Sequence, residues 1–195
     1  MTKEQARQKI LNTINPVGKS VDQYIIDDKN IIDHDFAWYI PFTLKTPTNE
    51  VFGGSWSGFF VDKDTEEIFQ PGSGLPLEKW LFGFKIGLRY DKYDLFILKI
   101  NDKNLSLQLL EKLHLQYYIE ELEGGTIWKI PKSFSNKMLM ERLSTLPTTF
   151  HNQRLTLSID IFEQIINSQA FDFKLVQNIS LDKIIGENLT QKSSS

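Results

Sequence analysis

Chemistry at a protein site needs an acid, a base, a nucleophile or a metal ligand set, and this chain offers few of these. It has three histidines, His34, His114 and His151, and no cysteine. Without thiols, disulfides, thiolate catalysis and cysteine-based zinc sites are excluded. His34 sits in Asp33-His34-Asp35, a grouping that could orient a base or hold a metal. The plainer reading is a solvated turn ahead of the aromatic run that follows. His114 ends a leucine-rich helical pattern, where a cation complements the helix dipole. His151 precedes Asn152 in a loop pattern and has no evident partner in the sequence.

Other motifs fail on specific positions. Asp62, Asp64 and Glu66 alternate like the opening of a calcium loop, but Glu67 stands where the sharp-turn glycine belongs and Ser73 where the bidentate glutamate belongs. A charged β-turn accounts for them better. Gly72-Ser73-Gly74 precedes a helix as a phosphate cradle would, yet no Gly-Lys-Ser/Thr follows and Pro76 deletes a donor. Ser55 and Ser57 lie outside any nucleophile elbow. The expectation is therefore a protein without catalytic residues, cofactor or metal, and not an enzyme.

The elements that would position these residues can be read from periodicity. Thr2 with Gln5 forms an N-cap pair, and Ala6, Ile10 and Ile14 recur every four residues, predicting a helix over 3–14 that Asn15-Pro16-Val17-Gly18 ends. Short strands at Tyr24–Ile26 and Ile31–Ile32 flank a turn. Phe36–Phe42 is an aromatic strand, with Pro41 pointing to an edge or bulge. The stretch from Gly53 to Tyr90 then reads as strand, charged turn, strand, glycine turn and helix. Ser57–Asp62 and Ile68–Gln70 are the strands. The helix after Pro76 carries Leu77, Trp80, Leu81, Phe84 and Leu88 on one face and Phe82 and Ile86 on another. A helix apolar on two sides is covered on two sides, which predicts a second subdomain docked on the first.

From Tyr93 the pattern restarts. Tyr93–Ile100 is nearly continuously apolar, as a strand covered on both faces would be. Asp102 or Asn104 caps a helix bearing Leu105, Leu109, Leu110 and Leu113. Tyr117–Leu122 and Thr126–Ile130 form a hairpin across Glu123-Gly124-Gly125. Ser133 or Ser135 opens a helix that Pro147 stops, and Arg154–Asp160 alternates as a half-exposed strand. That β-α-β-β-α-β order is what a ferredoxin-like sandwich requires. A helix at Ile161–Asn167 and a strand at Phe171–Val176 would be additions. The fold class is thus α+β, with domains at 1–91 and 92–187 and a flexible tail at 188–195.

Within the first half, Val61-Asp62-Lys63-Asp64-Thr65-Glu66-Glu67-Ile68 and Gly72-Ser73-Gly74-Leu75-Pro76-Leu77-Glu78-Lys79-Trp80 resemble the immunity protein 35 family. Those proteins are small α+β proteins encoded beside bacterial polymorphic toxins. The resemblance covers roughly 2–90 and departs from the family at Gly53-Gly54-Ser55-Trp56-Ser57-Gly58. It implies a protein that neutralises a cognate toxin by covering its active cleft.

Composition fits that reading. Asp and Glu total 25 against 22 Lys and Arg, a net charge of −3, a balance that argues against nucleic acid, which calls for a basic face. No apolar run approaches the ~20 residues of a membrane span and no signal peptide opens the chain, so a cytoplasmic location is expected. Candidate partner contacts are Trp56, a loop aromatic, with Asp62, Asp64, Glu66 and Glu67, and with Glu120, Glu121 and Glu123 from the second half. Trp80 and Trp128 are expected in the core. Two rivals remain: an adaptor or chaperone for a secreted effector, and a small enzyme using His34 with its neighbouring carboxylates.

Overall fold

A computed structural model describes residues 1–14, 24–45, 58–72, 74–89 and 92–178. They form two compact units, Met1–Gly87 and Leu88–Ser195, each combining helices with antiparallel sheet.

In the first unit, β3 (Ala37–Leu44) is the central strand. It pairs on one side with β4 (Gly58–Asp62), which pairs in turn with β5 (Ile68–Phe69). It also pairs with β1 (Tyr24–Ile26) and β2 (Ile32–Asp33), which a 3₁₀ turn at Asp28–Asn30 separates. Strand alternation sends neighbouring side chains to opposite faces. Ile40, Phe59 and Val61 meet Ala6 and Ile10 of α1 (Lys3–Ile14) on one face. On the other, Phe60 stacks at 5.5 Å on Phe84 of α2 (Leu77–Lys85), and Phe69 stacks on Phe84 at 5.7 Å. Every residue of β4 is consequently buried. Arg7 of α1 reaches the 3₁₀ turn with a two-point ion pair to Asp28, at 2.6 and 3.2 Å. That hydrogen-bonded contact raises the Arg7 pKa and lowers that of Asp28.

In the second unit, β6 (Tyr93–Ile100) lies between β9 (Thr148–Gln153) and β10 (Phe171–Gln177), antiparallel to both. Tyr93, Leu95 and Ile97 are buried with Leu109 and Leu110 of α3 (Lys103–Lys112), Leu139 and Leu143 of α4 (Asn136–Leu143) and Phe162 and Ile165 of α5 (Ile159–Ser168). The capping residues are Asp102, whose carboxylate accepts from the Leu105 N–H at 2.9 Å, and Ser135. His114 follows α3 in the left-handed conformation, φ 49°, so it serves the turn that ends the helix through its backbone.

Three expectations for this unit require correction. The β-α-β-β-α-β order occurs, but its strands do not build one ferredoxin-like sheet. β10 fills the edge of β6, and β7 (Gln116–Glu123) with β8 (Thr126–Ser133) stands apart as a two-stranded sheet. Arg154–Asp160 is not a strand: the strand is Thr148–Gln153, and 156–158 is a 3₁₀ turn leading directly into α5. Leu155 and Ile159 are buried while Leu157 is exposed, so their alternation does not mark one strand face. Finally, β6 is covered on one face rather than both, with Leu98 47% exposed. The β10 register skips Leu98, and this bulge turns Lys99 outward and returns Ile100 toward the buried side.

Candidate interaction site

The β4–β5 turn holds four of the expected contacts, and its geometry divides them. Asp62 is buried, and its carboxylate accepts the Asp64 and Thr65 N–H groups, both at 2.9 Å. Of the candidate contacts, Asp62 is therefore the one whose charge organises the turn from within. Glu66 takes a left-handed backbone, φ 61°, and pairs with Lys9 of α1 at 3.1 Å. Glu67 is half-buried, and its carbonyl accepts the Asp62 N–H at 2.9 Å. Asp64 is exposed. Trp56 lies outside the described residues.

His34 is half-buried, 6.4 Å from the Phe60 ring. Burial pushes its pKa down, and Lys63 adds to that against the opposing effects of Asp33 and Asp35. Asp33 is itself ion-paired with Lys63, whose ammonium lies 4.6 Å from the Trp38 ring centre. His34 and its neighbours are thus built into a turn whose main chain closes between His34 and Ala37.

His151 gains a partner that the sequence did not suggest. Its Nδ1 lies 2.9 Å from Asp94 on β6, and the same carboxylate accepts the Asn152 N–H at 2.7 Å. Two residues of β9 oppose one of β6 here, a bulge in which Asn152 has φ 60°. Burial pushes the Asp94 carboxyl up, but the bonds from His151 and Asn152 outweigh it and hold its pKa below the ordinary carboxylate value. With Nδ1–H directed at Asp94, the neutral ring keeps its lone pair on Nε2. Beside it is an open cleft of about 560 Å³, lined among others by Glu141, Arg142, Thr148 and Thr149. Among the described residues no hydroxyl bonds to His151, and no group of three or more His, Asp or Glu could hold a metal.

The hairpin β7–β8 gathers the remaining expected contacts. Glu120, Glu121 and Glu123 stand on β7, opposite Lys129, Trp128 and Thr126. Gly124 and Gly125, with φ 59° and 81°, form the two-residue turn whose twist matches that of the strands. At the hairpin base, Tyr117 packs on Phe134 at 5.1 Å and Phe134 on the buried Phe150 at 5.2 Å. Beyond that base both faces are open. Leu122 is 74%, Ile127 63% and Trp128 55% exposed. The expectation that Trp128 belongs to the core is overturned, because strand character alone does not say whether another layer covers the strand. The exposure of these apolar tip residues was not foreseen, although Glu-Gly-Gly between two strands already located the tip.

No family model matches the chain, and neither the curated proteins nor the solved structures contain a match to it.

Proposed function

We propose that this protein works by binding another protein, as an immunity protein that occludes a cognate bacterial toxin, with the β7–β8 hairpin as its principal contact. The single observation behind this reading is the exposed apolar tip, Leu122, Ile127 and Trp128, set among Glu120, Glu121 and Glu123. Leu122 with Ile127 on one face and Trp128 on the other, each flanked by charge, match the anchor and rim composition of interfaces. The acidic groups would complement a basic surface, such as the substrate cleft of a nuclease, and speed encounter with it. The likeness of 61–68 and 72–80 to immunity protein 35 is what points the binding role toward a toxin. For an immunity protein of this kind the toxin would be met in the cytosol.

Co-expression with the toxin encoded beside this gene tests the reading. Growth rescue by the unaltered chain, lost in a Leu122→Lys, Trp128→Ala double variant that remains folded, supports it. Export of the neighbouring protein without rescue favours the adaptor, and rescue that survives the double variant removes the hairpin from the interface.

A further inference from the structure

Among the described residues neither edge of the hairpin pairs with a further strand, and the two edges are chemically unequal. Gln116 shows which backbone groups face outward on β7. Although paired with Ser133, it gives its N–H to Gln153 Oε1 at 2.7 Å and receives Gln153 Nε2 on its C=O at 2.6 Å. The Gln153 amide therefore imitates one peptide unit of an adjoining strand. Antiparallel ladders alternate between residues bonded to the partner strand and residues facing away. Tyr118, Glu120 and Leu122 consequently point N–H and C=O outward on β7, as Ile127 and Lys129 do on β8, where Pro131 offers a C=O alone.

Pro131 falls on one of the outward positions of β8, where it removes a donor, and Lys129 flanks it. Proline and lysine at such positions are the usual means of blunting an edge. β7 has no proline, and its outer half carries Glu120, Glu121 and Glu123. Among the described residues no strand other than β8 pairs with it. Pairing of β7 with the β7 of a second copy would bring these carboxylates together, which disfavours self-association through this edge.

We infer that the open edge of β7 accepts an extended, basic segment of a partner protein as a third strand of this sheet, an inference that rests on the reading of this chain as a protein-binding protein. Outward N–H and C=O groups at Tyr118, Glu120 and Leu122 supply the main-chain bonds. The glutamates select lysine or arginine on the incoming strand, and Leu122 with Tyr118 packs its apolar residues.

The probe is a ten-residue peptide alternating lysine and valine, added to the full chain and followed by amide hydrogen exchange and NMR. The expected result is slowed exchange at the amides of Tyr118, Glu120 and Leu122. Affinity should fall about tenfold with added salt or on replacing the three glutamates by glutamine, because exposed charges are screened. Glu120→Pro, which deletes an outward N–H and no ladder bond, should abolish the protection, whereas Ile127→Pro on the other edge should leave it intact. Absence of protection at millimolar peptide, protection along β8 instead, or equal binding of a glutamate–valine peptide would overturn the inference. Protection of the same amides that grows with protein concentration alone would also overturn it, in favour of a second copy. Toxin rescue that persists in Glu120→Pro would sink the added strand while leaving toxin binding intact. Loss of rescue in the unaltered chain with peptide protection retained would sink the toxin and spare the edge.

Discussion

β4 and β7 are both antiparallel strands rich in aromatic or β-branched residues, and they live in opposite surroundings. Every residue of β4 is buried, between α1 on one face and α2 on the other. β7 is exposed along nearly its whole length, and only its base is packed. The difference lies in what each sheet is given to cover it. The first unit supplies a helix to each face of its sheet, so each side chain of β4 contributes to stability. Among the described residues no layer covers the hairpin beyond its base, and a two-stranded ribbon is at best marginally stable alone. It persists through the anchors at Gln153, Phe134 and Phe150. One strand is committed to holding the fold, and the other is free to be used.

The contrast can be broken by substitution, beginning where the effect is largest. Phe60→Ala should cost the first unit about 3–5 kcal/mol by leaving a cavity among Tyr39, Phe69 and Phe84. Denaturant unfolding should register this as a lower midpoint. Gly58→Ala should cost about 1–3 kcal/mol, since a Cβ there would collide with the Tyr39 ring. Asp62→Ala should cost about 1–3 kcal/mol by orphaning the Asp64 and Thr65 amides, while Asp64→Ala should be near neutral. If both aspartates proved equally tolerant, the turn would not depend on its internal carboxylate. At the far end, Leu122→Lys with Trp128→Ala should change stability by no more than about 0.5 kcal/mol, as surface changes do. A loss of several kcal/mol would mean that the hairpin tip is packed after all.

Acid should separate the two units. The folded pKa of His34 is lowered, so below the unfolded value of about 6.5 the unfolded chain binds a proton that the folded chain resists. Stability of the first unit should therefore decline as pH falls through that region, and His34→Gln should flatten the decline. Asp94 behaves in the opposite sense. Its lowered pKa contributes stability above the unfolded value of about 3.9, and this is lost as pH falls through the folded pKa. Asp94→Asn should abolish that acid limb in the second unit while leaving the His34 limb unchanged. Thermal melts at stepped pH would show both.

Most elements were legible in the sequence because their boundaries have local causes. Helix α1 follows from Ala6, Ile10 and Ile14, and α3 and α4 begin at Asp102 and Ser135, whose side chains cap them. What was hidden depends on partners far along the chain. Asp94 was a signal that went unused: a carboxylate inside an apolar strand needs a partner, but nothing local identifies His151, 57 residues away. The strand misplaced at Arg154–Asp160 had acceptable alternation but no register, and register is a tertiary property. The exposed Trp128 illustrates the same limit, since composition marks a strand without revealing whether anything covers it. Charge singled out the glutamates of β7, whereas Leu122, Ile127 and Trp128 beside them look like core residues until, among the described residues, the sheet is seen to end with β8.

The clamp between Gln116 and Gln153 has an evolutionary corollary. It divides the ribbon into a root fixed to the body beneath and a blade that extends beyond it. Residues distal to that root can diverge without retraining the folding of the body beneath. Grafting a foreign hairpin tip of equal length between Tyr118 and Pro131 should yield a folded protein with altered recognition.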